Sequence, residues 1–259
     1  MSATLYYSAQ SCGAASFLSQ HVAGIHLNTE VRKSRRTQGM LRTLLLLLLL
    51  LLLLLLLLLL LHGSLTLSLS VPLPCSRCCV CQTVDLKEHK LKKSGADFYA
   101  VNPKGNVPTL AFPNGALLNE GAAILQWIAD QAPESKLAPA AGTFERYQLQ
   151  NTLNFTSTEI HTGGLGAVMR APNDEAKAAA RVTFGKKLTY LNDVLLKERK
   201  FTGGNDLSVA DIYLFIMCSG VPRVGLDLAP YSNIVAFLAA VRAEPRFAKA
   251  QEAMNAASA

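Results

Sequence analysis

Leu44 through Leu61 is a run of eighteen unbroken leucines in a chain of 259 residues. As a helix that run is about 27 Å long, close to the hydrocarbon thickness of a bilayer. Whether it can span one depends on what it interrupts. Residues 31–82 around it hold Arg32, Lys33, Arg35, Arg36, Arg42 and Arg77 and no acidic residue. The chain's formal net charge is +7, so everything outside that segment sums to +1. A nucleic-acid surface clusters Lys and Arg on the folded body, and this body is nearly neutral, so no nucleic-acid partner is expected. Cys75, Cys78, Cys79 and Cys81 fall in the same segment, leaving Cys12 and Cys218 outside it. Cys75 and Cys78 have zinc-ligand spacing, but no second pair comes after them and no metal site is expected. Two lone thiols in the body fit a reducing compartment. The opening MSATLYYSAQSCGAAS has neither the basic nor the apolar region of a secretory signal, and a start at Met40 would discard everything before it.

Before the segment the chain reads as strand, turn and helix. TLYY (4–7) is short and β-favouring, SAQSCG (8–13) is turn material, and AASFLSQHVAG brings Phe17, Leu18 and Val22 to one helical face. Gly24 is a natural end for that helix, and IHLNTE (25–30) reads as a second strand. So compact a strand–helix–strand unit implies a parallel pair with a right-handed crossover, and it places Cys12 where the turn becomes the helix. After the segment, a short helix is expected before VPTLAF and ALL, two strands joined by a turn at Pro113-Asn114-Gly115. EGAAILQWIAD then forms a helix with Ile124, Leu125 and Ile128 as its apolar stripe. Residues 132–143 read as a linker.

From Phe144 onward the pattern is helical. Phe184, Leu188, Leu191 and Leu195 make a core stripe. In FTGGNDLSVADIYLF, Ser208 and Asp211 are spaced as a capping box, with Leu207 and Ile212 as its hydrophobic staple. That helix is expected to be structural, with no chemistry of its own.

An α/β domain followed by an all-α domain, carrying YYSAQSC, NPKGNVPTL, LLNEGAAILQWIAD, LNFTSTEIHTGG and SVADIYLF in this order, resembles the cytosolic glutathione S-transferases, most closely the bacterial-type beta class. The likeness covers residues 1–30 and 83–259. It implies a thioredoxin-like glutathione-binding domain over 1–131, interrupted by 31–82, and a helical domain over 144–259. The implied activity is conjugation of the glutathione thiolate to a small hydrophobic electrophile, in a cytoplasmic homodimer, with glutathione as co-substrate. A non-catalytic transferase-like binding module and a membrane-anchored protein are the alternatives.

The resemblance assigns residues as well. Val107 supplies backbone bonds to the cysteinyl unit of glutathione, and Pro108 follows a cis bond. Glu120 and Gly121 open the helix that receives the γ-glutamyl group, whose carboxylate suits a helix N-terminus. The family usually has serine where Gly121 stands, so one hydroxyl bond is lost. Cys12 matches the beta-class cysteine near the glutathione sulfur, able to form a mixed disulfide, and a thiol at a helix N-terminus is expected to have a lowered pKa. Ser11 and Tyr7 compete with it for stabilising the thiolate. His161 matches the histidine that enters the site from the helical domain, although the basic residue that often follows it is Thr162 here. Lys87 and Lys90 compete for the glycyl carboxylate.

The leucines can now be placed. A bilayer span at 44–61 would put the strand at 4–7 and VPTLAF on opposite sides of a membrane, so fold and span are incompatible. As an extruded loop the segment costs ~3 kcal/mol of closure entropy, against a stability of ~5–15 kcal/mol. Eighteen leucines nevertheless favour a membrane by ~10 kcal/mol. Joining Glu30 to Thr83 removes the conflict and leaves the uninterrupted GIHLNTETVDLKEHKL. Val31 and Cys81-Gln82 can be encoded with the GT and AG ends of an intron read through in frame. Residues 31–82 are therefore read as a retained intron.

Overall fold

The structure is a computed structural model that describes residues 3–9, 11–25 and 80–258. The leucine run, the cysteines at 75, 78 and 79 and all but the first residue of the strand expected at 25–30 lie outside these. The α/β half begins with β1 (Thr4–Tyr7) and α1 (Gly13–Val22), and Gly24 ends that helix with a φ of +70°. Next to β1 runs β2 (Val80–Asp85), parallel, with Thr4 opposite Val80 and Tyr7 opposite Thr83. Strand β2 thus starts three residues inside the segment that reads as an insertion. The short β3 (Lys90–Leu91), β4 (Thr109–Ala111) and β5 (Leu117–Leu118) complete one sheet in the order β3-β2-β1-β4-β5, antiparallel except for β1–β2.

The helix expected between β2 and β4 does not form. The Asp85 carboxylate instead accepts from the N–H groups of Lys87 and Glu88, at 2.8 and 3.3 Å, which turns the chain back into β3. Turns then lead to an organised loop. Fully buried Asn102 donates through Nδ2 to Asn106 O, Asn106 Oδ1 and Thr109 Oγ1 at 2.8–2.9 Å, and its Oδ1 accepts from Lys104 N. Gly105 has a φ of +65°, and a Cβ there would come within 2.5 Å of the Tyr99 ring. The NPKGN run is therefore a clip that fixes the positions of Val107 and Pro108.

Helix α2 (Gly121–Gln131) buries Ile124, Leu125 and Ile128, the expected stripe, against α1. The linker is stitched down rather than loose: Leu137 is buried and its carbonyl accepts from Val209 N–H at 2.9 Å. Arg146, almost fully buried, reaches back to grip the end of α2. Its guanidinium donates to both Asp130 carboxylate oxygens at 2.8 Å and to Pro139 O at 2.9 Å.

The helical half comprises α3 (Phe144–Phe155, running on as a π-helical stretch over Thr156–Leu165 and an α-helical end at Gly166–Arg170), α4 (Asp174–Tyr190), α5 (Val209–Ser219), α6 (Ser232–Ala243) and α7 (Pro245–Ser258). Phe184, Leu188 and Leu191 are fully buried and Leu195 packs at the edge of the same core. Gly164 has to be small because a Cβ would run into the Phe184 ring of α4. The capping box forms as expected. Asp211, fully buried, accepts from Ser208 N and Oγ at 2.8 and 2.6 Å and from Thr202 N and Oγ1 at 2.7 Å. Helices α2, α5 and α7 all pack on α1, so the two halves share one core.

Candidate functional site

Two helix N-termini and the loop before β4 meet beside the helical half. At α1 the turn closes on itself: Ser11 Oγ donates to Ser8 O at 3.0 Å and accepts from Gly13 N–H at 3.1 Å. Cys12 is the N-cap residue, part-buried, and its thiol donates to the carbonyl of Val107 at 3.5 Å. That bond ties the start of α1 to the loop clipped by Asn102, and the Val107–Pro108 peptide next to it is cis.

At α2 the N-cap is Glu120, in extended conformation and mostly exposed. Its carboxylate makes no cap bond and pairs with Lys104 Nζ at 3.3 Å. A Cβ on Gly121 would sit 3.7 Å from Pro108 Cγ, an ordinary contact, so the position has room for a side chain.

From the helical half comes His161, carried on the π-helical stretch of α3. Its Nδ1 lies 2.9 Å from the Tyr213 hydroxyl of α5, ring edge to ring face. This π-helical stretch runs over ten residues, Thr156–Leu165, where π geometry in helices is usually confined to a single turn. Burial, followed by the Arg170 guanidinium, lowers the His161 pKa and favours the neutral ring. Burial, then the charges of Cys12 and Glu120, raise the Tyr213 phenol, and a hydroxyl bond from Ser157 acts the other way. The capping-box helix, expected to carry structure only, therefore delivers Tyr213 into the electrostatic neighbourhood of Cys12, Glu120 and His161. Its sequence signal is one tyrosine inside a helix already accounted for by its cap.

Two further expectations are corrected. The Cys12 thiol is pushed up to about 11, not down: burial dominates, the N–H groups of Cys12 and Gly13 pull it back only in part, and Glu120 adds to the rise. Tyr7 faces the core, stacked on Phe17 with ring centroids 4.6 Å apart, and burial raises its phenol to about 12. It packs. Ser11 lies at the right turn, but its hydroxyl is engaged by the turn's own backbone. Lys87 lies on the exposed β2–β3 turn and Lys90 opens β3, where it pairs with Glu88 at 3.1 Å. Among the described residues no cluster of His, Cys, Asp and Glu could hold a metal ion, and no helix is long and apolar enough to cross a membrane.

The glutathione S-transferase N-terminal domain model matches residues 82–131 and the C-terminal domain model residues 160–253. Glutathione S-transferase GstA of Escherichia coli O157:H7 is 35% identical over 174 residues, 67% of this chain and 84% of that protein. Among solved structures, the ternary complex of BphK, a bacterial transferase, superposes with a TM-score of 0.72 at 30% identity, covering 97% of this chain and 99% of that one. The beta class glutathione S-transferase of Sphingomonas chungbukensis superposes with 0.69 at 29%, covering 97% and 98%. The chain belongs to the glutathione S-transferase family. It is a glutathione transferase with glutathione as co-substrate, and its likeness is to the bacterial beta-class enzymes.

Proposed function

We propose that this transferase conjugates glutathione to small hydrophobic electrophiles, as a detoxifying enzyme of the cytoplasm, at the junction of Cys12, Val107, Glu120 and His161. The observation that carries the reading is the Cys12 thiol bonded to the Val107 carbonyl, which brings the candidate cysteine and the candidate peptide-binding backbone to one point. Val107 presents its backbone to the cysteinyl unit of glutathione, next to the cis bond at Pro108. The free N–H groups at the start of α2 take the γ-glutamyl carboxylate, and Glu120 takes the ammonium now mimicked by Lys104 Nζ. In the reaction the glutathione thiolate attacks an electrophilic carbon. The C–S bond forms, the bond to the leaving group breaks, and that group departs with the electron pair. Cys12, protonated near neutral pH, acts here as a hydrogen-bond donor beside the sulfur. Thiol–disulfide exchange needs a thiolate, so the raised pKa favours conjugation over a Cys12 mixed disulfide.

The working molecule is proposed to be a homodimer lacking residues 31–82. Between α3 and α4 lies a groove of about 540 Å³ lined by Phe155, Tyr190, Glu159 and Lys187, a surface suited to a second copy. Turnover of a generic aryl halide with glutathione by the chain lacking 31–82, and sizing of that chain, test the proposal together. Retained turnover in a soluble dimer is the expected result; an inactive, folded protein that ignores glutathione would refute it.

A further inference from the structure

The contact between His161 and Tyr213 can be read for the position of its proton. Two neutral arrangements are available: the phenol donates to Nδ1, or Nδ1–H donates to the phenol oxygen. A phenol is the stronger donor and an imidazole nitrogen the stronger acceptor. In the second arrangement the buried Tyr213 O–H would need another acceptor, and among the described residues it donates to no other, so the first is selected. Burial keeps Tyr213 a neutral phenol, the Glu120 carboxylate at the start of α2 acting the same way and a hydroxyl bond from Ser157 acting against it. On the other side, Arg170 at the end of α3 folds back, its Nη2 donating to Thr162 O at 3.0 Å. Its guanidinium lies over Gly166, where a Cβ would come within 2.7 Å of Nη1, so only glycine leaves it that position. A cation held there opposes a second proton on the neighbouring imidazole.

We propose that Tyr213 is a positioning residue of the transferase: by donating to Nδ1 it holds His161 as the Nε2–H tautomer, so the ring offers an N–H donor to the glutathione thiolate. The inference rests on the site assignment above and goes beyond it, because the assignment places His161 at the site without saying which nitrogen carries the proton. A donor there helps only if it is an N–H. In the other tautomer Nε2 is a lone pair, which would repel a thiolate. Thr162, where the family often has a basic residue, leaves the ring without a charge from its chain neighbour. Arg170, eight residues on, stands near the same ring.

The test is a pair of nitrogen spectra of histidine-labelled protein at neutral pH, with and without glutathione, repeated on Tyr213→Phe. In the wild type, Nδ1 should show the shift of an unprotonated ring nitrogen and Nε2 that of an N–H, and Nε2 should move when glutathione binds. Tyr213→Phe keeps the ring packing. It should give a mixture of tautomers and lower kcat on the order of tenfold, the scale on which partners that orient a working imidazole act, with KM for glutathione little changed. A wild-type ring carrying its proton on Nδ1, with a normal response to glutathione, overturns the inference and leaves the site assignment standing. A ring in the expected tautomer whose Nε2 ignores glutathione overturns the assignment and the inference together. A variant with unchanged spectra and unchanged kcat overturns the role of Tyr213.

Discussion

Glu120 and Asp211 are both carboxylates at the start of a helix, and the molecule uses them in opposite ways. Asp211 in the helical half is fully buried and accepts from four donors, two from Ser208 and two from Thr202. Glu120 in the α/β half makes no cap bond, stands mostly in solvent and touches a single ammonium, that of Lys104. The first arrangement is complete in itself; the second, on the proposed function, is open for glutathione. A helix N-terminus always presents unpaired N–H groups, and whether they serve stability or binding depends on whether the chain satisfies them itself.

The largest effect should come from the closed carboxylate. Asp211→Ala strands four buried donors at once and should lower the unfolding free energy by ~3–5 kcal/mol, read by urea denaturation. The interdomain clamp comes next. Asp130→Ala leaves the buried Arg146 guanidinium without its main partner. Asp130 is itself half exposed, so ~2–3 kcal/mol is expected rather than the full value for a buried pair. Glu120→Ala should do the reverse of both, weakening glutathione binding by ~1–3 kcal/mol while moving stability by less than ~0.5 kcal/mol.

The Cys12 thiol gives a pH-dependent check. Its folded-state pKa of about 11 lies above the ~8.5 of a free thiol. The protonated form is therefore the one the fold favours. This contribution to stability is complete below pH ~8.5 and is lost as pH rises toward 11. Alkylation of the ligand-free protein, compared with Cys12→Ala, should accelerate only in that alkaline window. A thiolate present at pH 7 would contradict the burial argument. The smallest effect is a gain. Gly121→Ser has room beside Pro108, and its hydroxyl should strengthen glutathione binding by ~0.5–1.5 kcal/mol, measured by calorimetry.

The sequence is most readable where a local rule is also the deciding one. The capping box at Ser208 and Asp211, the stop at Gly24, the hairpin at Asn114-Gly115 and the apolar stripes of α2 and α4 each depend on residues a few positions apart, and each is found. Long-range balances are less legible. The helix N-terminus does lower the Cys12 pKa, but burial by parts of the chain distant in sequence outweighs it. Tyr7 reads as a site residue from its place in a motif, yet strand alternation turns it onto Phe17. The turn after β2 replaces an expected helix because one carboxylate, Asp85, captures two N–H groups. Tyr213 is hidden for a different reason. It sits in a helix whose pattern is already explained by its cap and its burial, and only the fold shows that one of its side chains meets His161, fifty-two residues away.

The contrast between the two carboxylates is tested most directly by titrating glutathione into the wild-type protein and Glu120→Ala side by side, with the melting temperature of each recorded. Glu120→Ala should keep the wild-type melting temperature and lose on the order of ten- to a hundredfold in glutathione affinity, the equivalent of ~1–3 kcal/mol. Equal affinities in two folded proteins, or a loss of affinity matched by a collapse in melting temperature, would refute that contrast.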